Sequence, residues 1–111
     1  MPPLVIHQDG GFLDIPVNES LPLGVMRHVP IDHQEFTIPT EGLALMYSDG
    51  LHEALNAHNR IFGLDQVKQK LLTNHLESAE TICEKLWLAV QEHRGEVPHQ
   101  DDFTTVIVKR N

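Results

Sequence analysis

The chain has 111 residues and a mass of 12.6 kDa, which is room for one domain and not two. An apolar fraction of 41% is that of a globular domain and excludes disorder. Eight basic residues against sixteen acidic ones leave a net charge of −8, which excludes a nucleic-acid surface built on clustered Lys and Arg.

The first half reads as strands and loops. Leu4-Val5-Ile6 and Phe12-Leu13-Asp14-Ile15 flank Gly10-Gly11, which predicts a β-hairpin. Pro16, Pro22, Gly24 and Pro30 make residues 16–31 a loop with turns, in which Leu21-Pro22-Leu23-Gly24 is an apolar, rigid stretch expected to press on the domain body. Glu35-Phe36-Thr37-Ile38 alternates and predicts a strand. After a turn at Pro39 to Gly42, Leu43-Ala44-Leu45-Met46-Tyr47 is a continuous apolar run, as expected of a central strand buried on both faces.

The second half reads mainly as helix. Leu64, Val67, Leu71 and Leu72 fall on one helical face. Ser78 is a candidate N-cap, with Glu80 at the positive end of the dipole of a helix that buries Ile82, Leu86, Ala89 and Val90 and stops at Arg94-Gly95. Phe103 to Val108 is rich in β-formers and predicts a closing strand. Strands, two helices and a returning strand give an α+β fold with helices on one face of the sheet.

No apolar run approaches the roughly 20 residues that span a bilayer. Met1-Pro2-Pro3 lacks the basic start of a signal peptide. Cys83 is the only cysteine, so no intrachain disulfide forms. These features together suit a cytoplasmic setting.

Two acidic sites stand out by position. Asp49 ends the apolar strand, and Gly50 after it allows a sharp turn and close approach to the backbone. Asp101-Asp102 precedes the closing strand. If the strands of Leu45 and Val106 are neighbours, Asp49 and Asp101 converge at one sheet end. Paired carboxylates of this kind suit a hard cation such as Mg²⁺ or Mn²⁺. Taken singly, an Asp-Gly pair after a strand is a turn, and an Asp pair before a strand is a solvated loop.

The surrounding residues carry a family resemblance. Tyr47-Ser48-Asp49-Gly50-Leu51, Glu53-Ala54, Asn56 and Phe62-Gly63 resemble the signature of the SpoIIE-like bacterial branch of the metal-dependent protein phosphatases, the PPM family. Pro2-Pro3-Leu4, Leu21-Pro22-Leu23-Gly24 and Gln100-Asp101-Asp102-Phe103-Thr104 resemble further segments of that family, in its order, from Pro2 to Lys109. The resemblance implies part of a PPM-type α-β-β-α sandwich of mainly antiparallel strands. It implies that Asp49 and Asp101 are catalytic metal ligands for Mn²⁺ or Mg²⁺, two ions in the complete domain, with the backbone of Gly50 close by. Asp102 would either shape the loop or sit behind the ligands, and Glu53 would either sit behind them or, as the preferred structural role, cap the following segment. The implied reaction is hydrolysis of a phosphoserine or phosphothreonine by a metal-activated water, with no protein nucleophile.

The family's complete domain is longer than this chain, and its earlier part carries further metal-ligating aspartates. Asp9, Asp14 and Asp32 match none of them. Residues 1–111 are therefore expected to be the C-terminal portion of one phosphatase domain, inactive alone. The implied partners are a phosphoprotein of the anti-sigma-factor-antagonist type and an upstream sensor or receiver domain. Self-association through exposed strand edges is expected. The alternative is a non-catalytic, phosphatase-like module that docks a partner.

The remaining reactive residues read more plainly. The eight histidines lack the i, i+4 spacing of a zinc helix and are expected on the surface or in loops. Cys83 and Trp87 are expected to pack on a helix, and Arg27, Arg60 and Lys109 to solvate the surface.

Overall fold

A computed structural model describes residues 4–8, 11–15, 24–28 and 35–111. The elements run β1 (Leu4–Gln8), β2 (Gly11–Ile15), β3 (Leu43–Tyr47), α1 (Asp49–His52), α2 (Leu64–Asn74), α3 (Ala79–Arg94) and β4 (Thr105–Lys109). The four strands form one antiparallel sheet in the order β2-β1-β3-β4. The fold is α+β, as expected. β1 and β2 pair from Leu4↔Ile15 to Gln8↔Gly11, which is the predicted hairpin. Pro2-Pro3 and Leu21-Pro22-Leu23 lie outside the described residues.

β3 is an interior strand, paired with β1 on one side and β4 on the other. Leu43, Ala44, Leu45 and Tyr47 are buried and Met46 is half-buried. Leu43, Leu45 and Tyr47 join Val67 and Leu71 of α2 and Ile82, Leu86 and Val90 of α3 in a single core, closed below by Leu51 and Phe62. The helical spacing read from the sequence supplies most of these contacts. Leu64, Leu72 and Ala89 are the exceptions: Leu72 turns to solvent, and Leu64 and Ala89 are only half-buried at the margin of the cluster. Ser78 caps α3 as predicted, its Oγ accepting from the Thr81 N–H at 3.1 Å, and Gly95 ends the helix at φ 60°.

Three expectations need correction. Glu35 to Ile38 is not a strand. Both edges of β3 are taken by β1 and β4, so the alternating segment finds no ladder there, and Phe36 is left 42% exposed. Asp49-Gly50 is not a simple turn but opens the one-turn helix α1. The closing strand starts at Thr105 rather than Phe103 and runs to Lys109, because the Phe103 ring turns toward α3.

Candidate functional site

β3 and β4 are neighbours, with Met46 opposite Val106 and Tyr47 opposite Thr105. The end of β3 and the start of β4 therefore lie at the same sheet end. Ser48 joins them. Its backbone N–H donates to the Thr104 carbonyl at 3.0 Å, its Oγ donates to the Asp102 carbonyl at 2.8 Å, and the same Oγ accepts from the Thr104 N–H at 2.9 Å. A single hydroxyl thus satisfies one donor and one acceptor of a loop distant in sequence.

Gly50 completes the junction. It is buried, and a Cβ placed there would lie 2.0 Å from the Asp102 carbonyl oxygen and 2.6 Å from its carbon. Only a residue without a side chain lets α1 pack this closely on the backbone of Asp102.

The consequence is that Asp49 and Asp101 line the same two hollows. One, of about 200 Å³, is bounded also by Glu53, Arg94 and His99. The other, of about 510 Å³, is bounded by Met46, Ser48, Asp102 and Thr104. Asp49, Asp101 and Asp102 are all exposed, so their carboxylates stand at the solvent-facing mouth of the sheet end. Asp101 Oδ1 accepts from the Asp102 N–H at 2.8 Å, which steadies the carboxylate over its own loop. Arg94 is spent on structure: it donates to the Val97 carbonyl at 2.7 Å and to Gln91 Oε1.

The sequence reading missed part of this site. Asp49, His52 and Glu53 each bring one ligand atom within 4.8 Å of the others, and His52 Nε2 lies 3.8 Å from Glu53 Oε1. His52 is not a surface histidine. Its side chain is largely covered, its ring meets Tyr47 edge-on, and its Nδ1 is buried with no hydrogen-bond partner among the described residues. His93 is also half-buried and serves the fold, with Nε2 donating to the Arg60 carbonyl at 3.0 Å. The i, i+3, i+4 spacing of residues 49, 52 and 53 was the available signal, hidden because α1 read as a turn.

The donors at this sheet end are exposed carboxylate oxygens with one largely covered imidazole beside them. That set fits a divalent cation of the Mg²⁺ or Mn²⁺ type, which favours hard oxygen ligands and keeps waters.

An antiparallel sheet with helices packed on it and an acid-lined cleft at its end is an α+β fold with a candidate cation site. The family model for Stage II sporulation protein E (SpoIIE) matches residues 1–111, and the chain belongs to that family. Its fold is similar to the SiaA-PP2C domain of Pseudomonas aeruginosa, with a TM-score of 0.73 and 19% identity over 99% of this chain and 44% of that one. It is also similar to the phosphatase domain of the cell fate determinant SpoIIE from Bacillus subtilis, solved after presoaking in Mn, with a TM-score of 0.65 and 20% identity over 98% of this chain and 46% of that one. The chain therefore spans less than half the length of these solved neighbours. No protein of curated function matches it. No helix among the described residues is long and apolar enough to cross a membrane.

Proposed function

We propose that residues 1–111 are the C-terminal portion of a phosphatase domain and supply Asp49 and Asp101 as ligands for Mn²⁺ or Mg²⁺ in a protein serine/threonine phosphatase. The observation that carries this reading is the junction itself: Ser48 and Gly50 draw two carboxylates from separate strand ends to one cleft. When bound, such ions lower the pKa of a water and neutralise charge on a transferring phosphoryl group. The chain's own residues hold and orient. Asp49 is fixed by the start of α1, Asp101 by its loop, and Ser48 keeps the two in register. Glu53 and His52 stand next to Asp49, and Asp102 contributes its carbonyl to the junction.

The remaining ligands belong, in this reading, to the part of the domain that the longer solved neighbours have beyond the matched region. Residues 1–111 alone then bind the cation weakly and turn over no phosphopeptide. The substrate we infer is a phosphoserine or phosphothreonine protein of the anti-sigma-factor-antagonist type, with a sensor or receiver domain upstream and a cytoplasmic, signalling setting. Calorimetric titration with Mn²⁺ tests the ligand assignment. Binding by the wild-type chain that is lost in both Asp49→Asn and Asp101→Asn supports it, and binding that survives both refutes it. Phosphopeptide turnover by the pure chain with Mn²⁺, abolished by Asp49→Asn, refutes the claim that it is inactive alone.

A second reading is a partner-docking module without chemistry. It is favoured by the outward face of β4, where Val106 and Val108 are 46% and 44% exposed. The same Mn²⁺ titration separates the two, since a docking module has no use for Asp49 and Asp101 as ligands.

A further inference from the structure

Asp101 sits in the stretch between α3 and β4, and its geometry is fixed from three directions. At the α3 end, the Gly95 N–H donates to the Gln91 carbonyl at 3.0 Å and the Val97 N–H to the Arg94 carbonyl at 3.1 Å. At the β4 end, Ser48 holds Asp102 and Thr104. Between these anchors, His99 and Phe103 flank Asp101 at two residues on either side, and both rings rest on Trp87 of α3. The His99 ring stacks flat on the indole, with centroids 5.3 Å apart and planes at 17°. The Phe103 ring meets the same indole edge-on at 4.9 Å and 72°. The two rings also approach each other at 6.5 Å. His99 is held in place by Gln91, whose amide nitrogen donates to Nε2 at 3.2 Å while its Oε1 is taken by Arg94.

Trp87 has no obvious reason to lie here as a core residue. It is 40% exposed, next to the fully buried Leu86, and stands off the apolar stripe of α3. What it gains is a pair of ring contacts, stacked and edge-to-face, in the geometries that aromatic quadrupoles favour. A rigid indole is well suited to fix a polar loop, because it orders only two side-chain torsions of its own.

We propose that Trp87 is a positioning residue for Asp101. Gripping His99 and Phe103, it sets the course of the loop that carries the carboxylate and so sets the cation affinity of the cleft shared with Asp49. This rests on the reading that Asp49 and Asp101 bind a divalent cation. The role is indirect, since Trp87 itself bounds neither hollow.

The test compares the wild-type chain with Trp87→Ala, Trp87→Phe and His99→Ala, using Mn²⁺ calorimetry and amide hydrogen exchange of the metal-free chain. Trp87→Ala is expected to weaken Mn²⁺ binding by about tenfold, the scale of two lost aromatic contacts. Exchange should quicken across residues 99–103 while β3 and the buried face of α3 keep their protection. Trp87→Phe restores most of both properties, and His99→Ala reproduces part of the loss from the loop side. Mn²⁺ affinity unchanged in Trp87→Ala overturns the proposal, as does a loss of protection spread evenly over the chain. If the wild-type chain shows no Mn²⁺ binding sensitive to Asp49 and Asp101, the metal reading fails and the effect on affinity with it. The exchange data then still decide whether Trp87 orders the loop, and unchanged exchange at 99–103 refutes the clamp itself.

Discussion

The Ser48 hydroxyl donates to the carbonyl oxygen of Asp102 across 54 residues of sequence, at 2.8 Å. Ser48 Oγ in turn accepts from the Thr104 N–H, so one small side chain at the end of β3 holds the chain on its approach to β4. This contact and the close approach at Gly50 tie the Asp102 loop to the end of β3, beside the β3–β4 ladder and the Trp87 ring contacts.

Ser48→Ala removes both side-chain hydrogen bonds and leaves only the backbone bond to Thr104. Two neutral hydrogen bonds of roughly 0.5–1.5 kcal/mol each put the loss of stability at about 1–3 kcal/mol. Urea unfolding should show a lower midpoint with an unchanged slope, since the surface exposed on unfolding is the same. An unchanged midpoint means that solvent replaces the hydroxyl without cost and that the junction is held elsewhere.

Gly50→Ala tests steric fit rather than backbone freedom. The added methyl meets the Asp102 carbonyl at 2.0 Å, and that atom is backbone and cannot rotate away. Either α1 or the Asp102 loop must move. Forced packing of this kind costs about 1–3 kcal/mol. Mn²⁺ binding should fall more than in a distant variant of equal stability, because the displacement separates the two carboxylates. Equal stability and equal Mn²⁺ affinity in Gly50→Ala would show that the close approach is not needed.

Local order made some of this legible in the sequence and long-range contact hid the rest. β3 and α3 were readable because five consecutive apolar residues and a capped helical stripe are signals carried within one element. Asp49 and Asp101 stood out from their positions at strand ends, but their convergence needed the β3–β4 pairing, which spacing alone does not give. Ser48 and Trp87 were missed as site-building residues for the same reason. A serine after a strand and a tryptophan on a helix gain their meaning only from Asp102, His99 and Phe103. Glu35 to Ile38 shows the converse. Its alternation was real, yet a strand also needs a pairing partner, and among the described residues this segment joins no ladder.

The N-cap of α3 supports both the core and the Trp87 platform. Ser78 Oγ accepts from the Thr81 N–H, one of the orphan donors of the first turn. Ser78→Ala should cost about 1 kcal/mol. For a domain of this size that lowers the melting midpoint by roughly 4–8 °C. Ser78→Asp keeps an acceptor at the same place and should restore most of the loss. A cap variant that melts with the wild type would show that α3 is held by its packing on β3 alone.

The outer edge of β4 has no strand beside it among the described residues, and Val106 and Val108 lie on the more exposed face of that strand. An open edge next to an apolar face is a template for another chain. Nothing about Val106 or Val108 stabilises the chain alone as well as cover would, since burying either removes apolar surface from water. Sedimentation velocity of the pure chain should therefore show a mass that rises with concentration. Val108→Lys places a charge on the exposed face beside that edge and should shift the profile toward monomer without loss of fold, because the position is already open to water. A strictly monomeric profile for the wild type at high concentration would show that the face tolerates solvent and that the edge recruits no second copy.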